Sequence, residues 1–168
     1  MTETAVTLAL PPPRLDSAYS LERALKERRS IRTFSQQPLT LSKVSQLLWA
    51  AQGVTGAGGL RTAPSAGALY PLEVYLVVGQ VQGLAAGVYH YRPDGHRLIP
   101  WLPEDKRAEL AMAAFGQRWL QHSAVIIVFA AVDTRTTGKY GDRGIRYIAL
   151  EVGHAGQNVL LQATATCR

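Results

Sequence analysis

Residues Ala124 to Ala131 read Ala-Val-Ile-Ile-Val-Phe-Ala-Ala, eight apolar residues in a row. With no polar alternation, the run predicts a strand covered on both faces. A chain that carries such a strand needs a sheet to pair it and helices to cover it. Leu72-Glu73-Val74-Tyr75-Leu76-Val77-Val78 predicts a second strand, ending at Gly79. Val88-Tyr89-His90-Tyr91 and Arg97-Leu98-Ile99 flank Asp94-Gly95, which predicts a hairpin. A helix is expected from Leu21 to about Arg28, capped by Ser20 with Glu22 in its first turn. Another follows Thr40 and ends at Gly53. Its Leu41, Val44, Leu47 and Leu48 share one face, so Val44→Asp is expected to be damaging. A third is expected from Pro103 to about Phe115, with Leu110 and Ala114 buried. The last is expected from Arg146 to Ala165, with Ile148, Val152, Ala155, Val159 and Leu160 apolar. Thr134 to Gly141 reads as a polar loop. Helices and strands mix without a β-α-β rhythm. This argues an α+β fold, with helices over a mixed, largely antiparallel sheet.

At 168 residues and 47% hydrophobic, the chain suits one domain, expected over 16–168. Met1 to about Leu15 reads as a mobile arm, because Pro11, Pro12 and Pro13 forbid a helix and favour an extended form. Gly53 to Gly59 holds four glycines and reads as a mobile loop. Lys and Arg outnumber Asp and Glu by 18 to 12, a formal charge of +6 that favours anionic ligands in general. No aromatic and basic stripe of the kind that reads single strands is present, so nucleic acid is not the expected partner. The single cysteine, Cys167, excludes an internal disulfide, and no Cys/His spacing suggests a metal site. The start does not read as a signal peptide, and no apolar run is long enough to span a bilayer. A soluble cytoplasmic protein is expected. No G-x-G-x-x-G follows the first strand, and there is no P-loop.

One basic stretch stands out: Glu27-Arg28-Arg29-Ser30-Ile31-Arg32-Thr33-Phe34. An extended backbone here would put Arg28, Ser30 and Arg32 on one side. Guanidinium groups offer planar paired donors to a phosphate, and the hydroxyl adds a neutral one. A solvated basic helix end is the alternative. A second stretch, Arg61-Thr62-Ala63-Pro64-Ser65-Ala66-Gly67-Ala68-Leu69-Tyr70-Pro71-Leu72-Glu73, is dominated by small residues that let another group approach the backbone. A third runs Lys139-Tyr140-Gly141-Asp142-Arg143-Gly144, then Arg146-Tyr147 and Glu151-Val152-Gly153-His154-Ala155-Gly156-Gln157-Asn158.

In this order, joined by Gly87-Val88-Tyr89-His90-Tyr91, the three stretches resemble the FMN-dependent nitroreductase superfamily. More narrowly they resemble its SagB/ThcOx-type branch, the azoline dehydrogenases of modified peptides. The resemblance runs from about Ser20 to Thr166 and implies a nitroreductase-like fold. It implies that Arg28, Arg29, Ser30 and Arg32 bind the FMN phosphate and ribityl chain. It implies that Pro64, Ser65, Ala66 and Gly67 approach the isoalloxazine from the partner subunit of an intertwined homodimer.

The resemblance also makes Lys139 and Tyr140 the catalytic pair. Oxidising an azoline removes a proton from carbon and a hydride equivalent to flavin N5. Lys139 could be the base if its pKa were lowered, for instance by Arg143 or Arg146, with Tyr140 relaying the proton or orienting the ring. A solvated lysine beside a packed tyrosine is the plainer reading. His154 is expected in the core, Gln157 and Asn158 at backbone groups near the flavin, and Tyr89 and Tyr91 in packing.

In the family, the last helix is followed by a turn, another strand and a C-terminal arm. Here Cys167-Arg168 ends the sequence, which therefore resembles a truncated member with an unpaired apolar strand edge. Two other functions stay open: an NAD(P)H-dependent nitro or quinone reductase, and a remnant with weak or no flavin binding.

Overall fold

The computed structural model describes residues 7–167. Its elements are β1 (Leu8–Ala9), α1 (Leu21–Glu27), β2 (Leu39–Thr40), α2 (Leu41–Gln52), β3 (Leu72–Val78), β4 (Val81–Gln82), β5 (Gly87–Arg92), β6 (Arg97–Leu102), α3 (Arg107–Ala113), β7 (Val125–Ala131), α4 (Thr134–Tyr140) and α5 (Arg143–Thr166). Five strands form one sheet in the order β1-β6-β5-β3-β7, and every pairing in it is antiparallel. β2 and β4 form a separate short parallel pair. The fold is α+β, as the element order predicts.

The helix signals work as the sequence suggests. Ser20 accepts from the Arg23 N–H at the start of α1, and Thr40 accepts from the Lys43 N–H at the start of α2. Gly53 closes α2 by donating to the Trp49 carbonyl at 2.7 Å. Val44 and Leu48 are fully buried against Val74, Leu76, Val78, Tyr89, Tyr91 and Leu98 of the sheet. Tyr89 and Tyr91 are thus packing residues. α5 adds a second core patch, where Ile148 and Ala155 meet Leu72 and Ala63. Leu72, Val74, Leu76 and Val78 alternate along β3, so α2 and α5 cover the same face of the sheet.

Four expectations need correction. The apolar run is not buried on both faces: β7, at the sheet edge and paired with β3, is only half-buried from Val125 to Phe129, with Ala130 and Ala131 exposed. A continuous apolar run does not by itself supply the layers that would cover both of a strand's faces. Thr134 to Tyr140 is a helix rather than a loop. Its poor helix formers are held by the Asp133 carbonyl, which accepts from Thr136 N–H, Thr137 N–H and the Thr137 hydroxyl, and by close packing on α5. A Cβ at Gly144 would lie 2.9 Å from Thr137 backbone, so that approach requires glycine. The third helix starts at Arg107, not Pro103, because Asp105 takes the Arg107 N–H. Within it Ala111 is buried and Leu110 and Ala114 only half so.

The arm is docked rather than mobile over its described part; residues 1–6 lie outside the described residues. β1 pairs with β6, Leu10 is buried, and Arg14 exchanges two hydrogen bonds with the Gln46 amide. The Ser45 hydroxyl donates to the Pro11 carbonyl at 2.5 Å and accepts from His96 Nε2 at 2.7 Å, while the Tyr91 hydroxyl donates to His96 Nδ1 at 2.9 Å. Burial holds His96 below its ordinary value, which keeps the ring neutral for this chain of bonds.

The α2 face carries the core, so truncation there should be costly. Leu48→Ala is expected to lose about 2–5 kcal/mol in a urea melt, and Val44→Asp to abolish the cooperative transition.

Candidate functional site

The basic stretch leaves α1 as extended, unpaired backbone. Arg29 Nη1 donates to the Lys26 and Arg28 carbonyls at 3.0 and 2.7 Å. Arg29, Ser30 and Arg32 line a cavity of about 580 Å³, shared with Phe34, Trp119 and the C-terminal turn of α5. The Arg32 guanidinium sits 6.0 Å from the Trp119 ring, and Phe34 packs on the same ring. Arg28 does not line this cavity. The expected alternation of Arg28, Ser30 and Arg32 fails because no neighbouring strand imposes a two-residue period here. Trp119 had no signal in the sequence, since it lies in the turn Arg118–His122 beyond any motif.

The second group forms elsewhere. Pro64, Ser65, Ala66 and Gly67 lie on the loop that joins α2 to β3, with a short turn at Ala66–Ala68. Gly67 has φ +64°, and a Cβ built there would lie 2.8 Å from Tyr140 Oη and 3.0 Å from Lys139 Nζ. The loop and the pair at the end of α4 are therefore in direct apposition. Lys139 Nζ is 5.4 Å from the Tyr140 ring centroid, and Tyr140 packs edge-on against Tyr147 at 5.2 Å. Arg143 and Arg146 are exposed. The cavity of Arg29, Ser30 and Arg32 includes none of Pro64 to Gly67, Lys139 or Tyr140.

Polar groups behind the loop complete the picture. Glu73 takes Arg135 at 2.5 Å and His90 at 2.6 Å. Burial alone would raise the Glu73 carboxyl, but Arg135 and His90 outweigh it and hold it below the usual carboxylate range. Glu151 is 2% exposed and accepts from Gln52 Nε2 at 3.3 Å. Burial pushes its carboxyl up, against the opposing effects of Ser65, Gln52, Arg61 and His154. Glu151 lies inside the third stretch and carried no role in the sequence reading. His154 is exposed rather than in the core, because the buried side of α5 is set by Ile148, Glu151 and Ala155. Asn158 does bond a backbone group, the Thr62 carbonyl, at 3.3 Å. Gln157 is exposed.

The nitroreductase family model matches residues 25–167. The chain belongs to the nitroreductase family. This is an oxidoreductase family whose members typically use a flavin, so this nitroreductase is an enzyme by kinship. A candidate nitroreductase of Methanocaldococcus jannaschii is 48% identical over 159 residues, which span 95% of this chain and 80% of that protein. The crystal structure of a candidate nitroreductase from Ralstonia eutropha superposes with a TM-score of 0.81 at 31% identity, over 97% of this chain and 74% of that one. A chain of the E. coli microcin synthetase McbBCD complex, solved with truncated pro-MccB17 bound, superposes at 0.67 and 26% identity, over 93% of this chain and 63% of that one. Among the described residues, no helix of this nitroreductase is long and apolar enough to cross a membrane.

Gly67→Ala tests the apposition. The left-handed backbone should cost about 1–2 kcal/mol, and the new methyl must displace the Lys139 ammonium and the Tyr140 hydroxyl. A thermal melt reads the first effect, and the rate of lysine-specific acylation at Lys139 reads the second.

Proposed function

We propose that this chain is an FMN-dependent oxidoreductase of the azoline dehydrogenase type, oxidising an azoline-like ring in a peptide. The observation that carries the reading is the apposition of the Gly67 backbone with Lys139 Nζ and Tyr140 Oη. The glycine lets the Lys139 ammonium and the Tyr140 hydroxyl sit directly on the loop, which brings a candidate base and a phenol together at one place. The likeness to a microcin synthetase chain solved with a peptide precursor supports a peptide substrate.

The residues present fit FMN. Arg29, Ser30 and Arg32 offer charge-assisted and neutral donors to a phosphate. Their cavity of about 580 Å³ falls within the usual range for cofactor sites, about 300–1,000 Å³. When bound, FMN supplies the hydride acceptor for the oxidation. Lys139 takes the proton from the substrate carbon, and Tyr140 orients or relays it. Pro64 to Gly67 form the wall beside the ring. In one chain the phosphate cluster and this wall belong to separate places, so a homodimer is the natural way to join them. Exposed Ile145 and Leu150 on α5 suit such a partner surface.

The purified protein should be yellow, with flavin absorbance in the blue. Arg32→Ala should weaken FMN binding about ten- to hundredfold, Arg28→Ala less, and the double variant should lose the colour. A colourless protein that also fails to take up added FMN would point to a remnant.

Lys139→Ala should keep FMN and lose turnover with an azoline peptide. Unchanged turnover would leave Lys139 as a solvated charge. Anaerobic bleaching of the flavin by NADH, with no azoline oxidation, would instead favour a nitro or quinone reductase.

A further inference from the structure

A second polar cavity, of about 320 Å³, opens at the end of the sheet where β3 begins and β5 ends. None of the site residues expected from the sequence lines it. Three guanidiniums do, from three parts of the chain: Arg61 on the loop after α2, Arg92 at the end of β5 and Arg135 in α4. Two carboxylates, Glu73 and Asp94, accompany them, so three positive charges against two negative leave the lining with one positive charge in excess.

Internal pairing accounts for only part of this charge. Arg135 is occupied by Glu73 at 2.5 Å and by the Tyr70 carbonyl at 3.1 Å. Arg61 lies over the Tyr70 ring at 4.4 Å and gives one nitrogen to Gln52 Oε1 at 3.1 Å, which leaves the rest of its fork without a hydrogen bond among the described residues. Arg92 is the least engaged. Asp94 stands off from it at 3.5 Å and is shared at 3.5 Å with Arg97, and the Arg92 side chain forms no hydrogen bond among the described residues. Arg92 and Arg61 thus line one cavity with donors to offer.

One surplus positive charge matches a singly charged anion. A carboxylate has that charge, and its two oxygens suit the planar fork of a guanidinium. A phosphate group carries about 1.5 to 2 negative charges at pH 7, which Glu73 and Asp94 would oppose. The cavity also adjoins the meeting of Gly67 with Lys139 and Tyr140. Tyr70 ends the loop that carries Gly67. Arg135 lies one turn before Lys139 on the same side of α4, about 6 Å along the helix axis.

We propose that this cavity is a carboxylate subsite, in which Arg92 and Arg61 hold the carboxylate of a peptide substrate while Arg135, locked by Glu73, forms the wall towards Lys139. That the bound peptide places its azoline beside Lys139 rests on the function proposed above; the carboxylate site does not.

The test titrates the whole isotope-labelled protein with N-acetylglycine and, separately, with N-acetylglycinamide and inorganic phosphate, following the arginine Nε–H signals by NMR. N-acetylglycine should shift Arg61 and Arg92 saturably. The amide should leave them in place, and phosphate should bind there more weakly. Arg92→Ala should weaken N-acetylglycine binding about tenfold. Asp94→Asn keeps a turn-forming Asn-Gly pair and removes a competing charge, so it should tighten binding about two- to fivefold. Arg29→Ala with Arg32→Ala should bind N-acetylglycine as the wild type does, since those residues line another cavity. Unmoved Arg61 and Arg92 signals, equal shifts with the amide, or tighter binding of phosphate would each overturn the proposal. Should Arg92→Ala not fold, Asp94→Asn carries the test with the opposite sign, and unchanged or weaker binding would overturn it. For the substrate, three azoline peptides are compared: one with a free C-terminal carboxylate beside the ring, its C-terminal amide, and an amide with an aspartate beside the ring. A lower KM at unchanged kcat for either acid supports the assignment and tells a C-terminal from a side-chain carboxylate; one KM for all three would overturn it. If no azoline peptide turns over, the function proposed above fails, and the titration alone decides on the cavity.

Discussion

Strand β3 is hydrogen-bonded along both edges, to β5 and to β7, with continuous register from Leu72 to Val78 against the second. A strand held on two sides cannot slip, because a shift of one residue would turn Val74, Leu76 and Val78 out of the core. Both α2 and α5 rest on that face. The end of α2 is thereby brought next to the middle of α5, and the chain between α2 and β3 has to turn in the space they leave. Gln52, the 61–70 loop and Glu151 meet there as a consequence. The apposition of Gly67 with Lys139 follows one step later, since α4 is held to α5 through Gly144 and Thr137.

Two carboxyls at this end of the sheet respond to burial with opposite signs. Glu73 lies below its ordinary value because Arg135 and His90 outweigh its desolvation. Its contribution to stability is present above the usual carboxylate range and is lost as pH falls through the lowered value. Glu151 lies above its ordinary value because burial wins over Ser65, Gln52, Arg61 and His154. Its contribution is fullest in acid and is lost as pH rises through the raised value. Near neutrality, Glu73 therefore supports the fold while Glu151 draws on it.

Much of the fold was legible because its signals are local. Ser20, Thr40 and Gly53 mark helix ends through their own backbone neighbours, and Asp94-Gly95 marks the hairpin the same way. The misreadings share a cause. The cover over β7 depends on which elements pack on its two faces, and α4 depends on α5 to hold a helix that Thr136, Thr137 and Gly138 would not hold alone. The docked arm depends on Ser45 and His96, residues 34 and 51 positions apart from their partners in sequence. No window of the chain contains both halves of those interactions.

The site divides along the same line. Arg29, Ser30 and Arg32 are neighbours in sequence and stay together on one cavity, and so do Pro64 to Gly67 on one loop. Lys139 and Tyr140 end a short helix whose position puts them against that loop, a meeting of residues some seventy positions apart that spacing could not foretell. Glu151 and Gln52 are 99 positions apart, and neither residue type is unusual for a helix. Glutamate on a helix is ordinarily solvated, so the sequence offers no reason to single one out. Only its place on the buried side, one turn after Ile148 and one before Ala155, distinguishes it from an exposed acid. That side is the one that packs on Leu72 and Ala63, so the same apolar stripe that fastens α5 to the sheet carries the carboxylate to the back of the loop.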